Sequence, residues 1–164
     1  MPKTLIIDPM LCDGCRACEV ACSMMKDGEA NLSKSRIRTV RFPEEHFFFP
    51  LVCCQCEAPS CLRVCPSGAL RKDAATGVVL LDRDRCIGCK MCLVACPFGA
   101  IALADGLAAK CDLCDGDPVC VRMCEPQAIF FGDAAELTAL RQYAIGDMAR
   151  RMLLVRHDDA ARRA

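Results

Sequence analysis

Cys86-Ile87-Gly88-Cys89-Lys90-Met91-Cys92-Leu93-Val94-Ala95-Cys96-Pro97 sets three cysteines with two residues between each, a fourth after three more, and a proline directly behind it. The same run stands near the start of the chain as Cys12, Cys15, Cys18 and Cys22. Two other groups stretch the gap before the third cysteine: Cys53, Cys56, Cys61 and Cys65, with Pro66 behind, and Cys111, Cys114, Cys120 and Cys124. They are variants of one unit, and four groups of four account for all but one of the 17 cysteines.

This spacing suits a cubane iron-sulfur cluster. Three thiolates on one tight loop reach three irons of a [4Fe-4S] cluster while the loop's amides point at the sulfides, and a fourth thiolate must come from elsewhere. The last cysteine of each group is expected at the start of a helix, as in Cys18-Glu19-Val20-Ala21-Cys22. It turns away from its own loop and is expected to serve the other cluster of a pair. Gly14 and Gly88 suit the loop turns, and Pro66 and Pro97 redirect the chain after their cysteines. The expected cofactor is four [4Fe-4S] clusters. A disulfide framework would need an oxidising compartment and leave one thiol over. Zinc sites use two C-x2-C pairs per metal and often histidine, whereas His46 and His157 both lie outside the groups. Cys54 falls outside the pattern and reads as a thiol with no ligand role.

Composition narrows the setting. The stretch Met1 to Asp8 carries no twin arginine and its apolar run stops at Asp8, so export on its own signal is not expected and the cytoplasm is the expected compartment. No apolar stretch approaches the roughly 18 residues of a membrane span. Reduced thiols in that compartment favour metal over disulfides. Lys plus Arg and Asp plus Glu balance at 21 each, and nothing favours nucleic acid. Four clusters with their ligands would each add roughly two negative charges, which calls for a partner surface with basic residues.

Strand and turn signals organise the groups. Gly68 to Arg71 and Gly77 to Asp82 flank a turn at Asp73 to Gly77 and read as a hairpin; Gly99 to Leu103, the turn Asp105-Gly106 and Leu107 to Lys110 repeat it. Thr4 to Asp8 and Ala128 to Phe131 read as strands at the outer ends. The expected class is α+β: a duplicated, nested pair of bacterial-ferredoxin-like units with a C-terminal helical extension. Residues 1–35 plus 104–133 form the outer unit, 50–103 the inner unit, and 134–164 the extension.

Residues 3 to 132 resemble the four-cluster ferredoxin-like electron-transfer subunits that accompany molybdenum or tungsten oxidoreductases, hydrogenases and carbon-monoxide dehydrogenase. The resemblance implies that the first group pairs with the fourth and the second with the third. One cluster would then take Cys12, Cys15, Cys18 and Cys124, and its neighbour Cys111, Cys114, Cys120 and Cys22. The inner pair would take Cys53, Cys56, Cys61 with Cys96, and Cys86, Cys89, Cys92 with Cys65. One departure is that Cys124 is followed by Glu125 before Pro126, where the family has proline at once. The linker Lys26-Asp27-Gly28-Glu29-Ala30-Asn31 with Ser35-Arg36-Ile37-Arg38-Thr39-Val40 is similar to that of small subunits paired with tungsten- or molybdenum-pterin aldehyde oxidoreductases. The same stretch, with Ile37, Val40 and Phe42 between arginines, also reads simply as an amphipathic strand.

No nucleophile with a histidine partner, phosphate loop or dinucleotide fingerprint is present, so the chain is expected to catalyse nothing alone. The resemblance implies a large catalytic subunit at one end and a flavin or ferredoxin partner at the other. Two exposed ends would also allow a higher-order assembly. A hydrogenase, carbon-monoxide dehydrogenase or other pterin oxidoreductase is the alternative partner, and a redox-sensing interaction module the alternative of another class. In the tail, Asp133 and Glu136 offer a capping box. Leu137, Leu140, Ala144, Met148, Met152 and Val155 then recur at helical spacing, a stripe that covers the protein's own core or docks on a partner.

Overall fold

The computed structural model describes residues 3–133 and, beyond them, 135, 136, 138, 139, 142, 143 and 146. In chain order the elements are β1 (Thr4–Ile7), α1 (Ala17–Asp27), β2 (Arg38–Phe42), β3 (Phe47–Leu51), α2 (Ser60–Arg63), β4 (Leu70–Lys72), β5 (Val79–Leu81), α3 (Met91–Ala95), β6 (Ile101–Ala104), β7 (Leu107–Lys110), α4 (Val119–Arg122) and β8 (Ile129–Gly132). The strands form four antiparallel two-stranded sheets, β1 with β8, β2 with β3, β4 with β5 and β6 with β7.

Both expected hairpins form. β4 and β5 put Leu70 opposite Leu81, and Asp73 organises their turn by accepting from the amides of Ala75 and Thr76 at 3.2 and 2.8 Å. β6 and β7 join through Asp105 and Gly106, both left-handed at φ 54° and 79°, as a two-residue hairpin turn of the primed kind requires. β1 and β8 meet from opposite ends of the described chain, with Thr4 opposite Gly132 and Ile7 opposite Ile129.

Two apolar cores result. One draws on both ends of the chain and includes Leu5, Cys18, Cys22, Leu113, Cys120 and Ile129. The other comes from the middle and holds Cys61, Leu70, Val79, Cys92, Ile101 and Ala108. A short α+β chain whose cores contain this many thiols has little aliphatic material to pack, so its fold leans on whatever the thiols bind.

Local chemistry sets the helix lengths. α2 and α4 start behind Pro59 and Pro118, whose φ of −73° and −67° prepare a helical turn. The residues that stretch the second and fourth groups are the ones that bring in these prolines. α1 and α3 instead start from left-handed Arg16 and Lys90. The last cysteines do not start helices as expected: Cys22 lies inside α1, and Cys65, Cys96 and Cys124 follow the ends of α2, α3 and α4. α3 stops before Cys96-Pro97, whereas no proline follows Cys22 and α1 runs on to Asp27. Gly28, at φ 72°, closes it by donating to the Met24 carbonyl at 3.0 Å.

The linker strand forms as β2, but its faces differ from expectation. Ile37 is buried, whereas Val40 and Phe42 are 40% and 47% exposed. The cause is a partner the sequence reading missed. β2 pairs with β3 in a ribbon, and Val40 and Phe42 lie opposite Phe49 and Phe47 rather than against the core. At the C-terminal end the capping box is present: Asp133 N–H donates to Glu136 Oε2 at 2.8 Å and Glu136 N–H to Asp133 Oδ1 at 3.0 Å. The stripe Leu137, Leu140, Ala144, Met148, Met152 and Val155 lies outside the described residues. Among the described residues no helix is long and apolar enough to cross a membrane.

Candidate metal centre

Each cysteine group folds its loop the same way. The residue two places after the first cysteine is left-handed in all four: Gly14 at φ 75°, Gln55 at 47°, Gly88 at 66° and Leu113 at 61°. Such a kink turns successive amides toward one concave side, where they favour negative charge. Gly14 also has no room for more, because a Cβ there would stand 2.5 Å from the Phe48 ring. The sequence reading found the two glycines and missed Gln55 and Leu113. Their shared position in the unit was the available signal. In the fourth loop Leu113, Cys114 and Asp115 are left-handed in succession, a strain of roughly 1–3 kcal/mol per residue that proteins keep at functional sites.

The turn behind the last cysteine is also shared. Gly68, Gly99 and Gln127 are left-handed and donate to the carbonyls of Cys65, Cys96 and Cys124 at 3.3, 3.2 and 3.0 Å. The proline displaced to Pro126 therefore leaves this turn intact. One residue further on, Ala100 N–H donates to Cys96 Sγ at 3.4 Å and Ala128 N–H to Cys124 Sγ at 3.2 Å. Cys22, with no such turn, receives the Arg36 amide at 3.3 Å. These sulfurs are held where their charge would be stabilised by backbone dipoles.

Three cavities of nearly equal size lie among the loops, with about 370, 330 and 340 Å³ of space not filled by atoms, open solvent at their mouths included. Cys53, Cys56, Cys61 and Cys96 line the first; Cys65, Cys86, Cys89 and Cys92 the second; Cys22, Cys111, Cys114 and Cys120 the third. In each, the candidate ligands are three cysteines from one group and one from another. Among the remaining four, the charge of Cys124 acts on Cys12 and Cys18, and that of Cys12 on Cys15, each favouring the protonated thiol. Cys54 stands at the rim of the first cavity, its Sγ 3.9 Å from the Val52 carbonyl.

Four thiols around one small cavity are the donor set a four-iron cluster takes, and no disulfide links any of the 17 cysteines. Among the described residues no group of three or more His, Cys, Asp or Glu could hold a single metal ion. Burial, then the charges of neighbouring groups, pushes the thiols of Cys18 and Cys111 up to about 12, and Cys120 shifts the same way. Burial would push Cys65 up too, but the Ser67 hydroxyl and the amides of Leu70, Ala69 and Ser67 more than offset it. Cluster iron is bound by thiolate, so ligation at such buried thiols would release protons and couple loading to folding.

Ion pairs brace the loops. Lys26 of α1 meets Asp112 in the fourth loop at 2.7 Å. Glu19, fully buried, accepts from Arg16 at 2.9 Å and from the Thr39 amide at 3.0 Å, which fixes β2 against α1. Asp27 pairs with Arg36 and reaches Arg83 at 3.2 Å.

Residues 44–134 match the family described as a 4Fe-4S dicluster domain. The chain is 38% identical over 144 residues to the thiosulfate reductase electron transfer subunit PhsB of Salmonella typhi, covering 78% of this chain and 74% of that one. It is 40% identical over 123 residues to the polyferredoxin-like subunit of an aliphatic sulfonate oxidoreductase of Pyrococcus furiosus, covering 73% and 70%. Over 131 residues it is 42% identical to the beta subunit of the NADH-dependent phenylglyoxylate dehydrogenase of Aromatoleum evansii, covering 77% of this chain but 29% of that subunit. With this match over more than half its length, and with these identities, the chain belongs to the 4Fe-4S dicluster domain family of iron-sulfur proteins.

Proposed function

We propose that this chain, a non-catalytic iron-sulfur electron-transfer subunit of an oxidoreductase complex, holds four [4Fe-4S] clusters in a line. It would pass electrons between a tungsten- or molybdenum-pterin aldehyde oxidoreductase and a flavin or ferredoxin partner. The observation that supports this reading most is three cavities that each bring together three cysteines of one group and one of another, with the charge of Cys124 acting on Cys12 and Cys18 of the remaining group. The pairing of β1 with β8 around the central hairpins supports a nested duplication, the outer unit closing around the inner one.

Electrostatic influences between thiols of different sets support the order of the line. Cys120 feels Cys18, which links the set of Cys12, Cys15, Cys18 and Cys124 to that of Cys22, Cys111, Cys114 and Cys120. Cys111 feels Cys53, which links the latter to the set of Cys53, Cys56, Cys61 and Cys96. Cys92 feels Cys61, which adds the set of Cys65, Cys86, Cys89 and Cys92. The exposed candidate ligands, Cys15 and Cys89, belong to the two terminal sets. Exposed Met10 and Leu11 precede one, and Ile87 and Met91 flank the other, as suits ends that meet partners. Bound clusters supply one-electron centres whose potentials respond to burial and to hydrogen bonds on sulfur. The chain's part is to hold the thiolates, aim amides at them and keep water from the inner sets.

The linker of residues 26–40, similar to that of aldehyde oxidoreductase small subunits, supports the aldehyde-oxidising partner. A second reading keeps the wire and changes the catalytic subunit, as the names of the thiosulfate reductase and sulfonate oxidoreductase relatives favour. Anaerobic purification of the tagged chain from its host, with mass spectrometry and tungsten and molybdenum analysis of what accompanies it, separates the two. The first reading expects a large subunit containing one of these metals and aldehyde-dependent dye reduction. A large subunit that ignores aldehydes would contradict it.

A further inference from the structure

Lys110, the last residue of β7, is 7% exposed and stands between two of the ligand cavities. Its side chain lines the cavity of Cys53, Cys56, Cys61 and Cys96, and its backbone leads directly into Cys111 of the next. Nζ donates to the Val79 carbonyl at 2.7 Å, the Cys111 carbonyl at 3.0 Å and Gln55 Oε1 at 3.1 Å. Three acceptors around one nitrogen match the three donors of an ammonium group. Among the described residues no carboxylate forms an ion pair with it. Gln55 is built into the same junction: its Nε2 donates to the Cys111 carbonyl at 2.8 Å, and its Oε1 also receives the Val79 amide at 3.0 Å.

A buried cation with only neutral partners is costly, and a chain keeps one where a negative charge offsets it. Both neighbouring cavities would supply that charge once loaded, since each oxidised cluster with its ligands carries roughly two negative charges and gains another on reduction. We infer that Lys110 is a fixed cation that raises the reduction potentials of the two central clusters together, with Gln55 as its positioning residue. The inference rests on the four-cluster reading. A cation equally near the oxidised and reduced forms stabilises the reduced form more, because that form carries one more negative charge. In the titration the electron comes from dithionite, and no bond of the chain is made or broken.

The test is a mediated redox titration, followed by EPR with dithionite as reductant, of the intact chain and of Lys110→Met, Lys110→Gln and Lys110→Arg. Iron is counted in each preparation. The neutral variants are expected to lower two of the four potentials by about tenfold in the reduction equilibrium, ~59 mV for one electron, and to leave the other two in place. Lys110→Arg, which keeps the charge, should stay near the parent. Should Lys110→Met lose iron, Lys110→Gln, which keeps a hydrogen-bonding end, decides the matter. A neutral variant with full iron and four unmoved potentials would overturn the inference, as would an arginine variant shifted as far as the neutral ones. About eight irons in the parent chain would instead sink the four-cluster reading, and this inference with it.

Discussion

Replacing Cys124 with alanine is expected to empty the site formed by Cys12, Cys15 and Cys18 at the other end of the chain, with the loss of about four irons out of about sixteen. The expectation comes from the cavity linings and from which thiols act on one another. The charge of Cys124 acts on Cys12 and Cys18, while the cavity of Cys111, Cys114 and Cys120 takes its fourth thiol from Cys22. Residues that act as one unit are not additive, so paired substitutions read the wiring directly. Cys15→Ala with Cys124→Ala should lose no more iron than either alone, whereas Cys114→Ala with Cys124→Ala should lose about twice as much. The reverse pattern would mean that the fourth group keeps its own last cysteine. Iron per chain, measured on folded and anaerobically purified protein, is the readout.

The second large effect concerns Asp27, whose carboxylate joins the end of α1 to Arg36 in the linker and Arg83 beyond β5. The side chains of Asp27 and Arg36 are 6% and 7% exposed. Asp27→Asn would leave the Arg36 guanidinium buried without its anion, and breaking a buried pair from one side costs about 3–5 kcal/mol. Arg83 loses the same anion, but its side chain is a third exposed and keeps Asp105 at 3.7 Å, so it adds less to the cost. Replacing both partners, as Asp27→Asn with Arg36→Met, should recover much of the loss, because the cost lies in the orphaned charge. The Arg36 guanidinium holds the Asp27 carboxyl below its ordinary value, burial opposing it. A group depressed on folding stabilises fully above its unfolded value and loses that contribution as pH falls through the folded one. Denaturant midpoints followed by cluster absorbance and far-ultraviolet dichroism test both points. An Asp27→Asn midpoint equal to the parent's would contradict them.

Much of the candidate site was legible because metal ligation constrains sequence more tightly than packing does. A cubane fixes the distance between three thiolates on one loop, and that shows as cysteine spacing whatever lies around it. The hairpins β4–β5 and β6–β7 were legible for a similar reason, since Asp73 and the Asp105-Gly106 pair are turn chemistry that acts locally. What escaped was set by partners distant in sequence or by position rather than residue type. Gln55 and Leu113 adopt the conformation of Gly14 and Gly88 without being glycine, because the loop imposes it. β3 was missed, and with it the exposure of Val40 and Phe42, since a run of phenylalanines says nothing about which ribbon it joins. Glu19 and Lys110 are charged residues in buried positions, and their partners become visible only once the chain is folded.

The central claim is that sixteen cysteines serve four clusters. Iron and acid-labile sulfide per chain, determined on anaerobically purified protein together with low-temperature EPR of the reduced state, test it most directly. The account predicts about sixteen of each and signals from coupled neighbouring clusters. About eight irons and eight sulfides, with the signal of a single pair, would contradict it.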